Sequence, residues 1–132
     1  MHEIKVKVYY EDTDAGGIVY HANYLKYCER ARTELLLSLG VEQDVYLKQN
    51  IGFVVSKMDI AFKSPAKLHQ ELIVQTDVIK LKRASIEFKQ IIINEQQNVF
   101  FTANVSVACI NPQSGRPVAT PAEILEVLKS AS

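Results

Sequence analysis

Hydrophobic and polar residues alternate at the start of the chain and again in four later segments. Between residues 3 and 10, Ile4, Val6 and Val8 alternate with polar neighbours, which is typical of a half-buried strand. Similar patterns predict four more strands, over residues 53–62, 72–81, 85–93 and 99–110. Residues 82–84 and 94–98 are short, hairpin-length connections, so we expect the later strands to pair antiparallel.

Between the first and second predicted strands the period changes from two residues to three or four. A single helical face contains Tyr24, Cys28, Ala31, Leu35 and Leu39. Asn23 is the first candidate for the N-cap, with His21 or Ala22 as alternative first-turn residues, and Gly40 suits the C′ position. Leu36 and Leu37 widen the apolar face, so we expect the second half of this helix to be buried on more than one side.

A second, shorter helix is predicted at residues 122–129. Thr120 and Glu123 have the spacing of a capping box, and Pro121 stands where a helix start tolerates proline. The polar stretch at residues 42–50 shows no clear element. The predicted fold is therefore α+β, a single domain over residues 1–132 with about five antiparallel strands wrapped around one long helix. Exposed sheet edges favour pairing across a two-fold axis, so we expect at least a dimer.

Charge and cysteine content limit the classes of function. Fifteen Lys and Arg residues balance fifteen Asp and Glu residues, which disfavours nucleic acid or an anionic membrane as partner. The longest apolar runs are far too short to cross a membrane, and the N-terminal residues show no signal-peptide pattern. Cys28 and Cys109 each lie in an apolar pattern, where we expect buried thiols and a cytoplasmic location.

Residues 11–24 carry the most informative chemistry. Asp14 precedes the pair Gly16 and Gly17, and His21 follows just before the long helix. A helix start offers free backbone N–H groups that can stabilise negative charge, and a nearby carboxylate can act as a base. Acyl hydrolysis needs these two elements. The alternative interpretation is structural: Asp14 caps a glycine turn and His21 is only a hydrogen-bonding partner.

The stretch VYYEDTDAGGIVYHANY at residues 8–24, with YCERAR at residues 27–32, resembles hotdog-fold acyl-CoA thioesterases. The similar branch contains 4-hydroxybenzoyl-CoA thioesterase and the Tol-Pal-associated acyl-CoA thioesterases. The resemblance implies that Asp14 is the catalytic carboxylate and that the backbone N–H of His21 is aimed at the thioester carbonyl. It also implies an assisting role for the His21 side chain, while Glu29 matches an acidic position without an assigned role.

The resemblance further implies a groove for coenzyme A, which belongs to the substrate and product, so no separate cofactor is expected. In such proteins basic residues near a strand end hold the nucleotide, and the pantetheine arm runs between subunits. The alternative interpretation is that these basic residues are solvated surface side chains with no role in binding. No metal is expected, since the three histidines lack ligand spacing. Candidate substrate-binding residues are Gly17, Tyr24, Lys82, Arg83, Ser85 and Arg116.

Two other functional classes stay open at this point. Hotdog dehydratases use an Asp and a His five residues apart or a His–Glu pair, whereas Asp14 and His21 are seven apart. A non-enzymatic module could bind acyl carrier protein or Tol-Pal and envelope proteins. The residues do not distinguish a general base from a nucleophile at Asp14, nor an aliphatic from an aromatic acyl group. For the oligomer, dimer and tetramer are both open, and the resemblance favours a homotetramer.

Overall fold

A computed structural model describes residues 1–131 of the chain. The elements in chain order are β1 (His2–Lys7), a short 3-10 helix (Tyr10–Asp12), α1 (Asn23–Ser38), α2 (Gln43–Leu47), β2 (Gly52–Phe62), β3 (Glu71–Leu81), β4 (Ser85–Ile93), β5 (Val99–Ile110) and α3 (Ala122–Ala131). All five strands form one sheet in the order β1-β3-β4-β5-β2, and every neighbouring pair is antiparallel. The predicted α+β fold is confirmed.

The sheet packs one face against the long helix. Alternate residues of β3, β4 and β5 point into the core, and α1 contacts β1 and β3. Register shifts in β2, near Val55, and in β3, near Val78, add local twist and bend the strands. This curvature lets a single sheet cover a helix of 16 residues.

The predicted helix face is largely confirmed. Tyr24, Cys28, Ala31 and Leu35 are buried, and Gly40 has a φ of 82°, as its C′ position requires. Leu37 is exposed, however, so the helix is buried on one side rather than around most of its circumference.

The end of the first strand and the start of α1 differ from the prediction, and the structure adds one helix. The first strand stops at Lys7 because the chain turns into the 3-10 helix. The residue before α1 is Ala22, and Asn23 is instead the first helical residue. The polar stretch that showed no element contains α2.

The predicted capping box is not formed at α3. The Thr120 hydroxyl is buried and makes no hydrogen bond to Glu123. The Glu123 carboxylate accepts a hydrogen bond of 2.9 Å from the hydroxyl of Tyr46 in α2 instead. A contact between distant elements has replaced the local one, which the sequence pattern alone does not reveal.

Candidate active site

The motif loop, residues 12–20, folds back on itself as a small hairpin. Thr13 and Val19 face each other in an antiparallel bridge. The backbone N–H of Asp14 donates to the carbonyl of Ile18 (2.9 Å), and that of Gly17 donates to the carbonyl of Asp14 (3.1 Å). Gly17 has a φ of 77°, a conformation that L side chains rarely adopt, so this glycine is required by the turn itself.

A second segment, residues 66–67, fixes the motif loop from outside. Ile18 forms an antiparallel bridge with Lys67, and the N–H of Val19 donates to the carbonyl of Ala66 (2.8 Å). The N–H of Ala66 donates in turn to the hydroxyl of Tyr24 (3.0 Å). The loop is thereby tied to both the segment before β3 and the first turn of α1.

The two aspartates of the loop have different surroundings. Asp12 is buried, and its Oδ2 accepts a hydrogen bond of 2.9 Å from the N–H of Tyr9. Its carbonyl accepts from the N–H of Tyr20 (2.8 Å) and from the side chain of Asn23 (2.7 Å). Asp14 is exposed, and its Oδ1 accepts from the N–H of Gly16 (2.8 Å). Asp14 thus caps the turn and still presents Oδ2 to solvent.

The start of α1 presents unpaired donors. The N–H of Asn23 donates to the carbonyl of Tyr20 (2.8 Å). Within residues 1–131, the backbone N–H groups of His21 and Ala22 have no hydrogen-bond acceptor. Because these groups lie at the positive end of the helix dipole, they can receive a developing negative charge.

Aromatic rings surround the exposed His21 side chain. Its ring lies 4.5 Å from that of Tyr20 and 6.2 Å, edge on, from that of Phe62, measured between centroids. Tyr24 is buried beneath them and stacks on Phe101 with a centroid distance of 5.1 Å. The ring of Tyr24 therefore lies in the core, where it supports the site from below.

Asp14 and His21 share the loop but not a hydrogen bond. Asp14 faces Ile18 across the hairpin, and His21 follows three residues later. Within residues 1–131 no hydrogen bond joins the Asp14 carboxylate to the His21 imidazole, so the imidazole does not orient Asp14 directly.

The predicted basic residues lie elsewhere in the same chain. Lys82 and Arg83 form the β3–β4 turn, where the N–H of Lys82 donates to the carbonyl of Ser85 (2.9 Å). Lys82, which is exposed, also pairs with the partly exposed Glu87 at 3.8 Å. The carbonyl of Arg83 accepts from the N–H of Thr120 (2.8 Å), just before α3. A groove of about 560 Å³ lies between this turn and α3.

Within one chain, these basic residues lie far from the motif loop. The loop begins beside the first residues of β3, where the N–H of Val8 donates to the carbonyl of Gln70 (2.9 Å), while Lys82 follows the last residue of that strand. Eleven residues of strand span roughly 35 Å. Arg116 is exposed in the loop before α3, at the same end as Lys82. The structure therefore groups the basic candidates together and apart from Asp14.

Both cysteines are buried free thiols, as expected from the sequence. Burial raises the pKa of the Cys28 thiol to about 12, although the nearby Arg32 guanidinium opposes the rise. Burial likewise raises the pKa of Cys109. Neither forms a thiolate readily at neutral pH, so neither is suited to nucleophilic catalysis. Within residues 1–131, no group of three or more His, Cys, Asp or Glu side chains is placed to hold a metal ion, and no helix is long and apolar enough to span a bilayer.

The motif did not single out Asp12 or Phe62. A buried carboxylate in a loop leaves no periodic signal, and Phe62 reaches the site only through the pairing of distant strands. The sequence did offer one hint, since Asp12 and Asn23 flank the loop. In the structure the Asn23 side chain donates a hydrogen bond to the Asp12 carbonyl.

Comparison with known proteins places this geometry in a family. Residues 8–128 match the model of the Thioesterase-like superfamily. The chain is 40% identical over 124 residues to the acyl-CoA thioester hydrolase YbgC of Escherichia coli O6:H1, covering 94% of this chain and 92% of the relative. It is 45% identical over 120 residues to the acyl-CoA thioesterase YbgC of Haemophilus influenzae, covering 90% and 88%.

A solved structure agrees with these relatives. The probable thioesterase from Bartonella henselae superposes with a TM-score of 0.84 at 34% identity, covering 91% of this chain and 98% of that one. The hotdog fold is thereby shared, as the sequence resemblance predicts. With the family model matching most of the chain, the protein belongs to the thioesterase-like superfamily of hotdog proteins.

Proposed function

We propose that the protein hydrolyses acyl-CoA thioesters to a free acid and coenzyme A. The observation that carries the proposal is the pairing, on one loop, of an exposed carboxylate with the unpaired N–H groups at the start of α1. The names of the relatives with 40% and 45% identity support the same chemistry. A dehydratase has no comparable support.

In this proposal Asp14 supplies the missing nucleophile. A thioester carbonyl reacts readily with hydroxide, which is scarce at neutral pH. Asp14 either accepts a proton from the attacking water or attacks the carbonyl itself to form a mixed anhydride that water then cleaves. In both routes the C–S bond breaks, the thiolate of coenzyme A leaves and takes up a proton, and the carboxylate is regenerated.

The helix start stabilises the oxyanion. The N–H groups of His21 and Ala22 point at no acceptor within residues 1–131, so they are available to the carbonyl oxygen. The exposed His21 imidazole, next to Tyr20 and Phe62, assists the reaction in this proposal. Gly17 allows the φ of 77° on which the turn depends, and Tyr24, being buried, acts by holding the Ala66 segment rather than by contact with substrate.

Coenzyme A is bound by a second subunit in this proposal. Lys82, Arg83, Ser85 and Arg116 lie about 35 Å from the motif loop of their own chain, too far for one thioester to reach both. A two-fold dimer would bring the basic end of one chain to the Asp14 loop of the other. The cations then hold the phosphates while the pantetheine arm crosses the interface.

The exposed residues on the two edge strands indicate which edge pairs with a second subunit. On β2, the edge residues Val54, Val55, Ile60 and Phe62 are exposed by 40% to 51%. On β1, the exposed residues are Glu3, Lys5 and Lys7, the charged kind that blunts an edge. We therefore propose a homodimer through β2, which can pair further into a homotetramer.

The dimer is tested by Ile60→Lys, with Glu3→Lys on the β1 edge as the matched control. We expect Ile60→Lys to be monomeric by light scattering and to show no turnover. Glu3→Lys should stay dimeric and keep its turnover. A dimeric Ile60→Lys protein with wild-type turnover would exclude β2 as the interface.

The activity is tested by thiol release from a panel of acyl-CoAs, from short aliphatic to long-chain and aromatic. Wild type is compared with Asp14→Asn, and Asp44→Asn, an exposed acid on α2, is the control. We expect turnover by wild type and Asp44→Asn only. No release from any coenzyme A ester, but release from an acyl carrier protein, would reassign the carrier; no release from either would favour a Tol-Pal or other envelope interaction module.

We also propose a cytoplasmic location with no cofactor beyond the coenzyme A of the substrate. Both cysteines are free and buried thiols, which suits a reducing compartment. Fractionation of cells under conditions that preserve compartments, with immunodetection of the chain, would place it.

A further inference from the structure

The chain enters α1 through a four-residue turn that has two free donors at its centre. Tyr20 and Asn23 close the turn, because the N–H of Asn23 donates to the carbonyl of Tyr20 at 2.8 Å. His21 and Ala22 are the central residues, and within residues 1–131 their own N–H groups have no acceptor. The groups that the proposed function assigns to the oxyanion are therefore the central N–H groups of a β-turn.

A single oxygen holds both ends of this turn. The carbonyl of Asp12 accepts from the N–H of Tyr20 at 2.8 Å and from Nδ2 of Asn23 at 2.7 Å. Asp12 is itself held in place, since its carboxylate accepts from the N–H of Tyr9 at 2.9 Å. The first and the last residue of the turn thus share one acceptor in the motif loop.

The direction of the free donors depends on how the turn is held. In a trans peptide the C=O and the N–H are coplanar and point in opposite directions. The N–H of His21 shares its peptide plane with the carbonyl of Tyr20, which points at the N–H of Asn23. The His21 N–H therefore points away from Asn23, and a rotation of the turn relative to the motif loop would change the direction of both free donors.

The Asn23 side chain is not needed to satisfy the Asp12 carbonyl, because the N–H of Tyr20 already donates to it. Asn23 is only 7% exposed, and burying an amide carries a desolvation cost that an apolar side chain avoids. What the amide adds is a second point of attachment between the turn and the loop. A turn attached at one point can rotate about it, whereas two points fix its orientation.

We propose that Asn23 is a positioning residue for thioester hydrolysis, an assignment that rests on the proposed function. Its amide fixes the direction of the His21 and Ala22 N–H groups. It acts through the Asp12 carbonyl and not by contact with the substrate. Misaligned donors would stabilise the oxyanion less and leave the binding of coenzyme A unchanged, so the effect of losing the amide falls on kcat rather than on KM.

The kinetic test compares Asn23→Ala with Ser38→Ala. Asn23→Ala removes the amide and keeps every backbone group of the turn. Ser38→Ala is the matched control, because it removes a side-chain hydrogen bond to a backbone carbonyl (2.6 Å, to Leu35) at the other end of α1. In thiol release we expect Asn23→Ala to lower kcat roughly 10–100-fold, a part of the cost of losing an oxyanion donor, with KM unchanged.

Ser38→Ala should keep both constants. A wild-type kcat in Asn23→Ala, a change in KM alone, or an equal fall of kcat in Ser38→Ala would each overturn the assignment.

The alignment of the donors can also be measured on a bound carbonyl. The probe is an analogue of acetyl-CoA in which a methylene group replaces the sulfur, leaving a ketone that is not hydrolysed and that carries carbon-13 at the carbonyl. The acetyl group is the smallest acyl group, so the probe does not depend on the chain length that the enzyme prefers. Hydrogen bonds to the ketone oxygen move the carbonyl NMR signal downfield. We expect this shift with wild type and Ser38→Ala, and a smaller shift with Asn23→Ala; equal shifts in all three proteins would overturn the assignment.

Asn23→Ser keeps the test decisive if Asn23→Ala does not fold. Serine is well accommodated at a helix start, but its hydroxyl is one bond closer to the backbone than the amide nitrogen and does not reach the Asp12 carbonyl. We expect the same fall in kcat and the same reduced shift, and wild-type values would overturn the assignment. A wild-type protein that shifts the ketone signal but releases no thiol from any acyl-CoA would contradict the proposed function, while a smaller shift in Asn23→Ala would still support the positioning role.

Discussion

Asp12 and Asp14 are two residues apart in one loop, yet they have opposite environments. Asp12 is buried and receives hydrogen bonds on both its carboxylate and its carbonyl. Asp14 is exposed, and its carboxylate accepts a hydrogen bond from the N–H of Gly16 at one oxygen. The same side-chain chemistry therefore serves as an internal anchor at one position and as a reactive group at the other.

The difference shows how a loop that contains two adjacent glycines can hold a carboxylate in a defined position. Asp12 joins the end of the 3-10 helix to the first residue of α1 through Asn23. Residues 66–67 hold the returning strand of the loop. Because both ends of the motif loop are fixed in this way, the turn at Asp14 can stay open to solvent and keep its position. Preorganised catalysis needs such a fixed position.

The largest expected effect is on kcat, when the exposed Asp14 is replaced. Asp14→Asn should lower kcat by roughly 10²–10⁴, the contribution of a general base. The amide oxygen can still accept from Gly16, so the free energy of unfolding should change by about 0.5 kcal/mol or less. Thiol-release kinetics and urea unfolding on the same preparation check both parts. Wild-type turnover would remove Asp14 from the mechanism.

The anchor should show the reverse pattern. Asp12→Ala removes the acceptor of the Tyr9 N–H from a buried site, and we expect a loss of about 1.5–3 kcal/mol in the free energy of unfolding. Asp14→Ala is the control, with a much smaller loss. If urea unfolding gave equal losses for the two alanine variants, the distinction between anchor and reactive group would fail.

His21→Ala separates the side chain from the backbone. The variant keeps the N–H at the start of α1, so the 10²–10³ cost of losing an oxyanion donor should not appear. We expect kcat to fall by about tenfold or less through loss of the imidazole, measured by thiol release at saturating substrate. A variant as inactive as Asp14→Asn would show that the imidazole is essential.

The smallest expected effect concerns the support beneath the loop. Tyr24→Phe removes the acceptor of the Ala66 N–H while keeping the ring stacked on Phe101. We expect a loss of about 1 kcal/mol in the free energy of unfolding and faster amide hydrogen exchange at Val19, whose N–H depends on the same segment. Exchange at Val19 equal to wild type would show that the segment is held by other contacts.

Local pattern predicted most of the secondary structure. The bounds of β4 and β5 agree with the prediction, and those of β2 and β3 differ by one residue. Alternation is reliable here because each strand has one buried and one exposed face. The first strand was predicted too long because Tyr10 continues the alternation of Ile4, Val6 and Val8, whereas the structure exposes its ring.

The sequence by itself determined the five strands, the two longer helices, the fold class and the loop that carries Asp14 and His21, since these depend on neighbouring residues and short periods. Only the tertiary structure decided that Asp12 is the anchor, that Phe62 reaches His21 and that Arg32 is buried beside Gln90. It also separated the basic turn from the motif loop by the length of β3. Burial and partner choice come from residues far apart in the chain, and no local pattern encodes them.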